Sequence, residues 1–305
     1  MSVKQNHYFP VLLAIAGVMT FSMMDVVMKA QSMAMGVYSA MFWRMVVGST
    51  LALAIYLPTL KQKTTPISRR GWHLHIARAV LATVMLYLLF FGLTRIPLAQ
   101  AVGLTFLAPI IALFLARPLL GEHIDSTATL AAILGFGGVL VVVGGEVLSI
   151  GPRTDLLGIS AVLVFALLYA LNLILQRMQA LIAEPPEIVF FQNIMVLLLL
   201  LAAAPFALVW PANTNEWIGS ALAALLAVGS LLLMSRAYRL AEAQRLINIE
   251  YTAFIWAAIF GWLVFAEAVS ARTLVGTGLI VVGCFIGSRE TRNQPPSEAV
   301  HRGKT

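Results

Sequence analysis

The sequence predicts an all-α integral membrane protein: ten transmembrane helices arranged as two inverted five-helix repeats. Three observations predict it. Hydrophobic residues make up 60% of the 305 residues and charged residues only 11%, less than half the charged share of an average soluble domain. That length holds about ten spans of roughly 20 residues with short loops between them. The chain also matches itself at an offset of 145, which places Trp72 on Trp217, Glu122 on Glu267 and Gly138 on Gly283. An odd number of spans in each copy turns the second copy upside down in the bilayer.

Each element follows from its punctuation. The first span covers about 9–30. Its apolar run Phe9–Met24 is long for the apolar core of a signal peptide, and no small-residue cleavage site follows it, so the segment reads as retained. The second span (36–58) stops at Pro58; the third (73–94) opens beside Trp72, an interfacial residue. The fourth (97–117) begins at Pro97, ends before Gly121-Glu122 and contains Pro109, which can open the helix locally. The fifth (127–147) is glycine-rich, and Gly151-Pro152 breaks the chain before the sixth (156–177). Pro185-Pro186 precede the seventh (187–210) and Pro211 closes it. The eighth (216–236) opens at Trp217, the ninth (246–266) ends at Glu267 and the tenth covers 272–289. The first repeat is therefore 9–147 and the second 156–289, joined by the short linker Ser149–Asp155. Residues 290–305 are polar and proline-rich, the composition of a disordered tail.

Charge sets orientation. With the N-terminus inside, fifteen Lys and Arg fall on cytoplasmic ends, Arg78 and Arg177 among them, and four (Lys29, Arg95, Arg153 and Arg272) on outer ends. Positive residues favour the cytoplasm, so both termini of this multi-pass chain are expected there. The net charge of +7 then belongs to span flanks and lipid head groups rather than to nucleic acid. A single cysteine, Cys284, excludes an intrachain disulfide and a thiolate metal site. His73 and His75 read as interface residues. No phosphate-binding loop, dinucleotide fingerprint, nucleophile elbow or zinc-protease motif occurs. No cofactor and no catalytic residue are expected.

Polar residues inside the spans mark the candidate site. Asp25 and Lys29 are four apart and share a helix face. Arg44 lies about eight residues into the second span, roughly 12 Å along its axis, so all three charges fall in the outer half of the membrane. A charge this deep costs about 2.5–3.5 kcal/mol on insertion scales and calls for a partner or a wet cavity. An Asp25–Arg44 pair that only fixes helix packing is the alternative. An offset of 147 places Asp25 on Asn172 and Lys29 on Gln176; an offset of 148 places Trp43 on Phe191 and Arg44 on Gln192. Charges in the first copy become amides in the second, which suits an asymmetric substrate. Asn248, Glu250 and Tyr251 form a second group near the cytoplasmic start of span nine. Glu250 or Asp25 would carry a coupling proton, if there is one. Trp43, Tyr87 and Phe106, with Tyr169 and Trp256, are candidates to stack on a flat organic molecule. Glu122 and Glu267 read as span boundaries. Gly135, Gly137, Gly138 and Gly144 in span five and Gly276, Gly283 and Gly287 in span ten allow close helix approach, within the chain or in a homodimer.

The duplicated unit, with FLAPIIALFLARPLLGE in the first copy and YTAFIWAAIFGWLVFAE in the second, resembles the EamA-type transporters of the drug/metabolite transporter superfamily over about residues 9–289. The resemblance implies ten helices with inverted repeats and secondary transport, often export, of a small organic metabolite (amino-acid-like, nucleoside-like or drug-like) across the bacterial inner membrane. A lysine late in span one and an arginine in span two belong to that pattern, here Lys29 and Arg44. Ser22-x-x-Asp25-x-x-x-Lys29, Phe42-x-Arg44 and Glu250-Tyr251 are similar to the S-adenosylmethionine-uptake branch. Where the family pattern repeats Pro109 in the second copy, this chain has Ala253-Phe254. A membrane scaffold, a passive channel and a membrane-embedded enzyme are the rival classes; the last lacks a converging acid/base or metal set.

Overall fold

The computed structural model describes residues 9–60, 66–108, 155–240 and 252–289, with scattered positions between 111 and 141. These residues form α1 (Phe9–Met35), α2 (Val37–Leu60), α3 (Arg69–Leu93), α4 (Leu98–Thr105), α5 (Leu156–Ala180), α6 (Pro185–Leu201), α7 (Thr214–Leu240), α8 (Ala253–Phe265) and α9 (Ala271–Arg289), plus the single turn Ala204–Ala207. No strand occurs among them. Five helices, α1, α2, α3, α5 and α7, are long and apolar enough to cross a membrane; α6, α8 and α9 are shorter apolar helices. This is the architecture of a multi-pass membrane protein. Span five is represented by scattered helical positions from 130 to 141. Glu122, Asn248, Glu250, Tyr251 and the tail 290–305 lie outside the described residues.

Local chemistry explains the helix ends. The Ser68 hydroxyl accepts the Gly71 amide at 3.1 Å and caps α3, satisfying a donor the helix cannot. Asp155 caps α5 through the Gly158 amide at 2.9 Å and also meets Arg95 at 2.8 Å. The Gly158 amide, then the Arg95 guanidinium, hold the Asp155 carboxyl below its ordinary pKa. Gly36, at φ +83°, lets the chain reverse between α1 and α2 without a Cβ clash. Span seven is shorter than the sequence predicts. α6 ends at Leu201, four residues before Pro205, whose ring would strike the Leu201 carbonyl in a continued helix. α4 stops at Thr105, four residues before Pro109, for the same reason.

The helices pack in exchanging pairs. α1 lies along α7 and α3 along α5; α2 lies against α7 as α3 does against α6; α1 touches α8 and α4 touches α5. α2 faces α6, and α4 faces α8. Each partnership joins the first half of the chain to the second. Small residues permit the closest approaches. A Cβ on Gly92 would stand 2.4 Å from Val162 of α5. One on Gly138 would stand 2.4 Å from the Gly276 carbonyl of α9, so the glycine faces of spans five and ten meet inside one chain. Large buried side chains such as Met24, Met28, Met41, Phe90 and Leu104 fill the shared core.

Candidate functional site

A cavity of about 200 Å3 opens midway along the helices. α1 contributes Ser22 and Asp25, α2 Arg44, α3 Arg78, and the end of α4 Thr105 and Phe106. From the second half come Phe165, Tyr169, Asn172 and Gln176 of α5, Gln192 and Asn193 of α6, Ser230 of α7 and Ala253 at the start of α8. The break at Thr105 brings Phe106 to the wall, so the irregular end of α4 lies where it borders a cavity. Such backbone is tolerated at membrane depth only there or within protein.

Asp25 and Arg44 are 6% and 4% exposed. No ion pair or hydrogen bond among the described residues joins them. Asp25 Oδ1 and Arg44 Nε are buried without a hydrogen-bond partner. The Arg44 guanidinium instead rests on sulfur and π electrons. Its Nη1 donates weakly to Met24 Sδ at 3.5 Å, and its carbon lies 5.5 Å from the Phe90 ring. Asp25 and Arg44 thus act on each other electrostatically across the gap without a direct ion-pair contact. Across the cavity, Gln192 Oε1 is also buried and unpartnered. Thioethers and rings stabilise a cation only modestly, so these polar atoms remain short of partners.

Lys29 does not join them. It is 4% exposed, donates to the Ile96 carbonyl at 3.1 Å and forms an ion pair with Glu267. The other Glu267 oxygen accepts the Leu98 amide at 2.8 Å. Glu267, expected only as a boundary marker, is thus an interhelix clasp between α1, the start of α4 and the end of α8. Lys29 pairs with Glu267, and no Lys29–Asp25 ion pair occurs among the described residues.

Trp43 also stands apart. Its indole donates to the Val209 carbonyl at 2.9 Å and its ring packs against Trp210 and Trp217. Tyr87 is 43% exposed and stacks on Phe91; it faces away from the cavity. Of the candidates read from sequence, Asp25, Arg44, Phe106, Asn172 and Gln192 share the cavity wall. Lys29, Trp43 and Tyr87 do not. Asn248, Glu250 and Tyr251 fall on residues not described.

Sequence reasoning missed a buried polar chain. Arg78, expected among cytoplasmic flanking charges, is 4% exposed. Its Nε donates to Asn172 Oδ1 at 3.1 Å and its Nη1 to Gln179 Oε1 at 2.5 Å. With that oxygen committed, the Gln179 amide nitrogen donates to His75 Nδ1 at 2.6 Å. His75 must then carry its proton on Nε2, which faces Glu187 Oε1 at 3.2 Å. The arginine thereby sets the amide, and the amide sets the tautomer. One signal was available: Arg78 and Asn172 both lie well inside predicted spans, and a charge at that depth needs a polar partner.

A helical bundle crossing the membrane several times, with a polar cavity walled by both halves, defines a multi-pass membrane protein with a central cavity. The profile of the EamA-like transporter family matches residues 8–144 and again 156–289. The chain belongs to the EamA-like transporter family of the drug/metabolite transporter superfamily, whose named members transport rather than catalyse. It is similar to the pseudopaline exporter CntI of Pseudomonas aeruginosa strain UCBPP-PA14, 28% identical over 291 residues covering 92% of this chain and 95% of the relative. It is similar to the riboflavin transporter of Brucella anthropi, 25% identical over 261 residues, 79% of this chain and 84% of the relative. The riboflavin transporter of Rhizobium johnstonii is 26% identical over 294 residues, covering 92% and 91%. A crystal structure that is 16% identical covers 91% of this chain and 95% of its own at a TM-score of 0.64, which shows the shared fold.

Proposed function

We propose that the protein is a secondary active transporter that moves a small organic metabolite across the bacterial inner membrane by alternating access. One observation carries the reading: the cavity is walled by helices from both halves and brings together the buried Asp25 and Arg44, each with a buried polar atom that has no hydrogen-bond partner. A scaffold would have little use for a buried arginine whose Nε lacks an acceptor, because burying an unsatisfied polar group at that depth is costly. The reciprocal helix contacts support two five-helix repeats, 9–147 and 156–289, related by a pseudo-twofold axis in the membrane plane, with both termini in the cytoplasm. The contacts of α2 with α6 and α4 with α8, and the exchange between the other pairings, are what such an axis requires. Rocking of one half against the other exposes the cavity to each side in turn. Asp25, Arg44, Phe106, Asn172 and Gln192 line the substrate site, with Asp25 as the described residue best placed to exchange a coupling proton. The Gly138–Gly276 contact is made within one chain, so the reading needs no second copy.

The test is counterflow in proteoliposomes preloaded with deproteinised cell extract, with exchanged metabolites identified by mass spectrometry. Saturable exchange marks a carrier, and flux that does not saturate marks a channel. Arg44→Ala is expected to lower exchange by at least tenfold with normal insertion and folding. Unchanged kinetics in that variant would remove the site assignment.

A further inference from the structure

The buried polar chain links one end of the bundle to the cavity. His75 stands six residues after the start of α3, Gln179 one residue before the end of α5 and Glu187 two residues after the start of α6. All three therefore lie within roughly 9 Å of their helix ends. Arg78 is about one turn deeper on α3 and lines the cavity with Asn172. Arginine carries only donors. The Gln179 amide must then turn its oxygen to Arg78 Nη1, 2.5 Å away, and its nitrogen to His75 Nδ1, 2.6 Å away. That arrangement fits one proton on His75, at Nε2, and not two. Among the described residues, the side chains around this pair are as follows. From α6, Glu187 faces His75 Nε2 and the Phe191 ring lies 4.6 Å from the imidazole. Tyr56 of α2 packs on Phe191. Tyr169 of α5 acts electrostatically on Arg78, and Asp25 of α1 and Arg44 of α2 line the same cavity. α4 carries no titratable residue. On α3 itself, Arg69, Arg70 and His73 are exposed.

We propose that His75 is a proton-binding site that controls the cavity through Gln179: a second proton on His75 turns the Gln179 amide and releases Arg78 Nη1 to the cavity. The switch stands on the geometry of the chain; its use in transport rests on the carrier reading above. An imidazole is the side chain that ordinarily changes charge between about pH 5 and 8. The second proton arrives on Nδ1 and makes that atom a donor. It then faces the amide nitrogen of Gln179, donor against donor. Half a turn of the amide brings its oxygen to Nδ1–H and its nitrogen to Arg78, where donor again meets donor. Gln179 cannot serve both cations, because they sit at opposite ends of its amide. Arg78 keeps Asn172 through Nε and loses the acceptor of Nη1. It already lines the cavity, where water or an oxygen of the cargo takes the vacated bond. Glu187, in its ionised form, stabilises the imidazolium at Nε2. Proton and cargo thereby favour each other's binding, since linkage is reciprocal. His75 is 1% exposed, so the proton reaches it when that end of the bundle opens. Gln179 acts through its two neighbours and is a positioning residue.

The experiment uses the full chain in lipid bilayers, with nitrogen-15 in the histidine rings and arginine guanidinium groups. The His75 and Arg78 signals are assigned by their loss in His75→Gln and Arg78→Lys. In magnetic resonance spectra at high pH, His75 is expected as the neutral form protonated on Nε2. On acidification Nδ1 should take up a proton, and the Arg78 Nη signals should shift with the same midpoint. In His75→Gln the Arg78 signals should no longer respond to pH. In Gln179→Glu both oxygens accept, so His75 should stay doubly protonated and Arg78 should again be indifferent to pH. A chain that only holds helices together would leave Arg78 unmoved while His75 titrates, and that result overturns the proposal. So does a His75 that stays neutral down to about pH 5, or an Arg78 response that persists in His75→Gln. Counterflow from proteoliposomes preloaded with deproteinised cell extract reads the link to transport. The KM of the exchanged metabolite should fall about fivefold or more from high to low pH in the natural protein, and not in His75→Gln. An equal pH effect in both overturns the link to the cavity. No exchange at all removes the carrier reading, while Arg78 signals that follow His75 still support the switch.

Discussion

At the scale of single residues, the polar atoms inside this membrane protein divide into those that are matched and those that are not. The Arg78–Gln179–His75–Glu187 chain is matched, each donor meeting an acceptor within 2.5–3.2 Å. Gln179→Leu is expected to strand Arg78 Nη1 and His75 Nδ1 together, a cost of about 2–4 kcal/mol visible as a lower Tm of the detergent-purified protein. An unchanged Tm would mean that water replaces the amide. Asp25, Arg44 and Gln192 each keep one buried polar atom without a hydrogen-bond partner, and all three residues line the cavity. The depth of Arg44 was legible in the sequence because a lone arginine in an apolar run is rare. The role of Arg78 was not. Counting charge near a span end cannot tell a side chain that reaches water from one that turns inward to an amide on another helix. Tyr87 failed as a candidate for the same reason. Its neighbours in sequence are apolar on every side, so nothing local says which face of α3 meets lipid.

At the scale of elements, boundaries follow from proline, glycine and capping side chains, and these were largely readable. Spans one, two, three, six and eight were placed within about five residues of α1, α2, α3, α5 and α7. The shortening of span seven at Leu201 answers to Pro205, a breaker that lay inside an otherwise apolar run. The end of α8 carries a feature that sequence does not display. Ala266 sits at φ 54°, a left-handed position usually given to glycine. There the Ala266 and Glu267 amides close onto Trp262 and Gly261, and Glu267 is aimed at Lys29 and the Leu98 amide. Removing the Cβ relieves about 1 kcal/mol of strain. Ala266→Gly is expected to raise the Tm without changing exchange; a lower Tm would show that the methyl contributes more in packing than it costs in backbone.

At the scale of the whole molecule, the two halves are held together by different chemistry at different places along the bundle. Lys29–Glu267 ties α1 to the end of α8, and Arg95–Asp155 ties the α3–α4 turn to the start of α5. The buried Arg78 chain ties α3 to α5 and α6. If alternating access operates, breaking the Lys29–Glu267 pair should favour opening on that side. In a Cys284→Ala background carrying Ser22→Cys, Glu267→Gln is expected to speed labelling by a membrane-impermeant maleimide added outside. Slower or unchanged labelling would show that this pair is not a latch. By itself the sequence determined the membrane class, most helix ends, the duplication of the family unit and the presence of charge at depth. Those depend on local hydropathy, breakers and spacing, which are properties of a linear chain. Only the tertiary structure decided that Lys29 pairs with Glu267, that Arg78 turns inward, and that Asp25 and Arg44 line one cavity without a direct ion pair. Partner choice depends on which helix faces meet, and residues more than two hundred positions apart in the chain compete for the same charge.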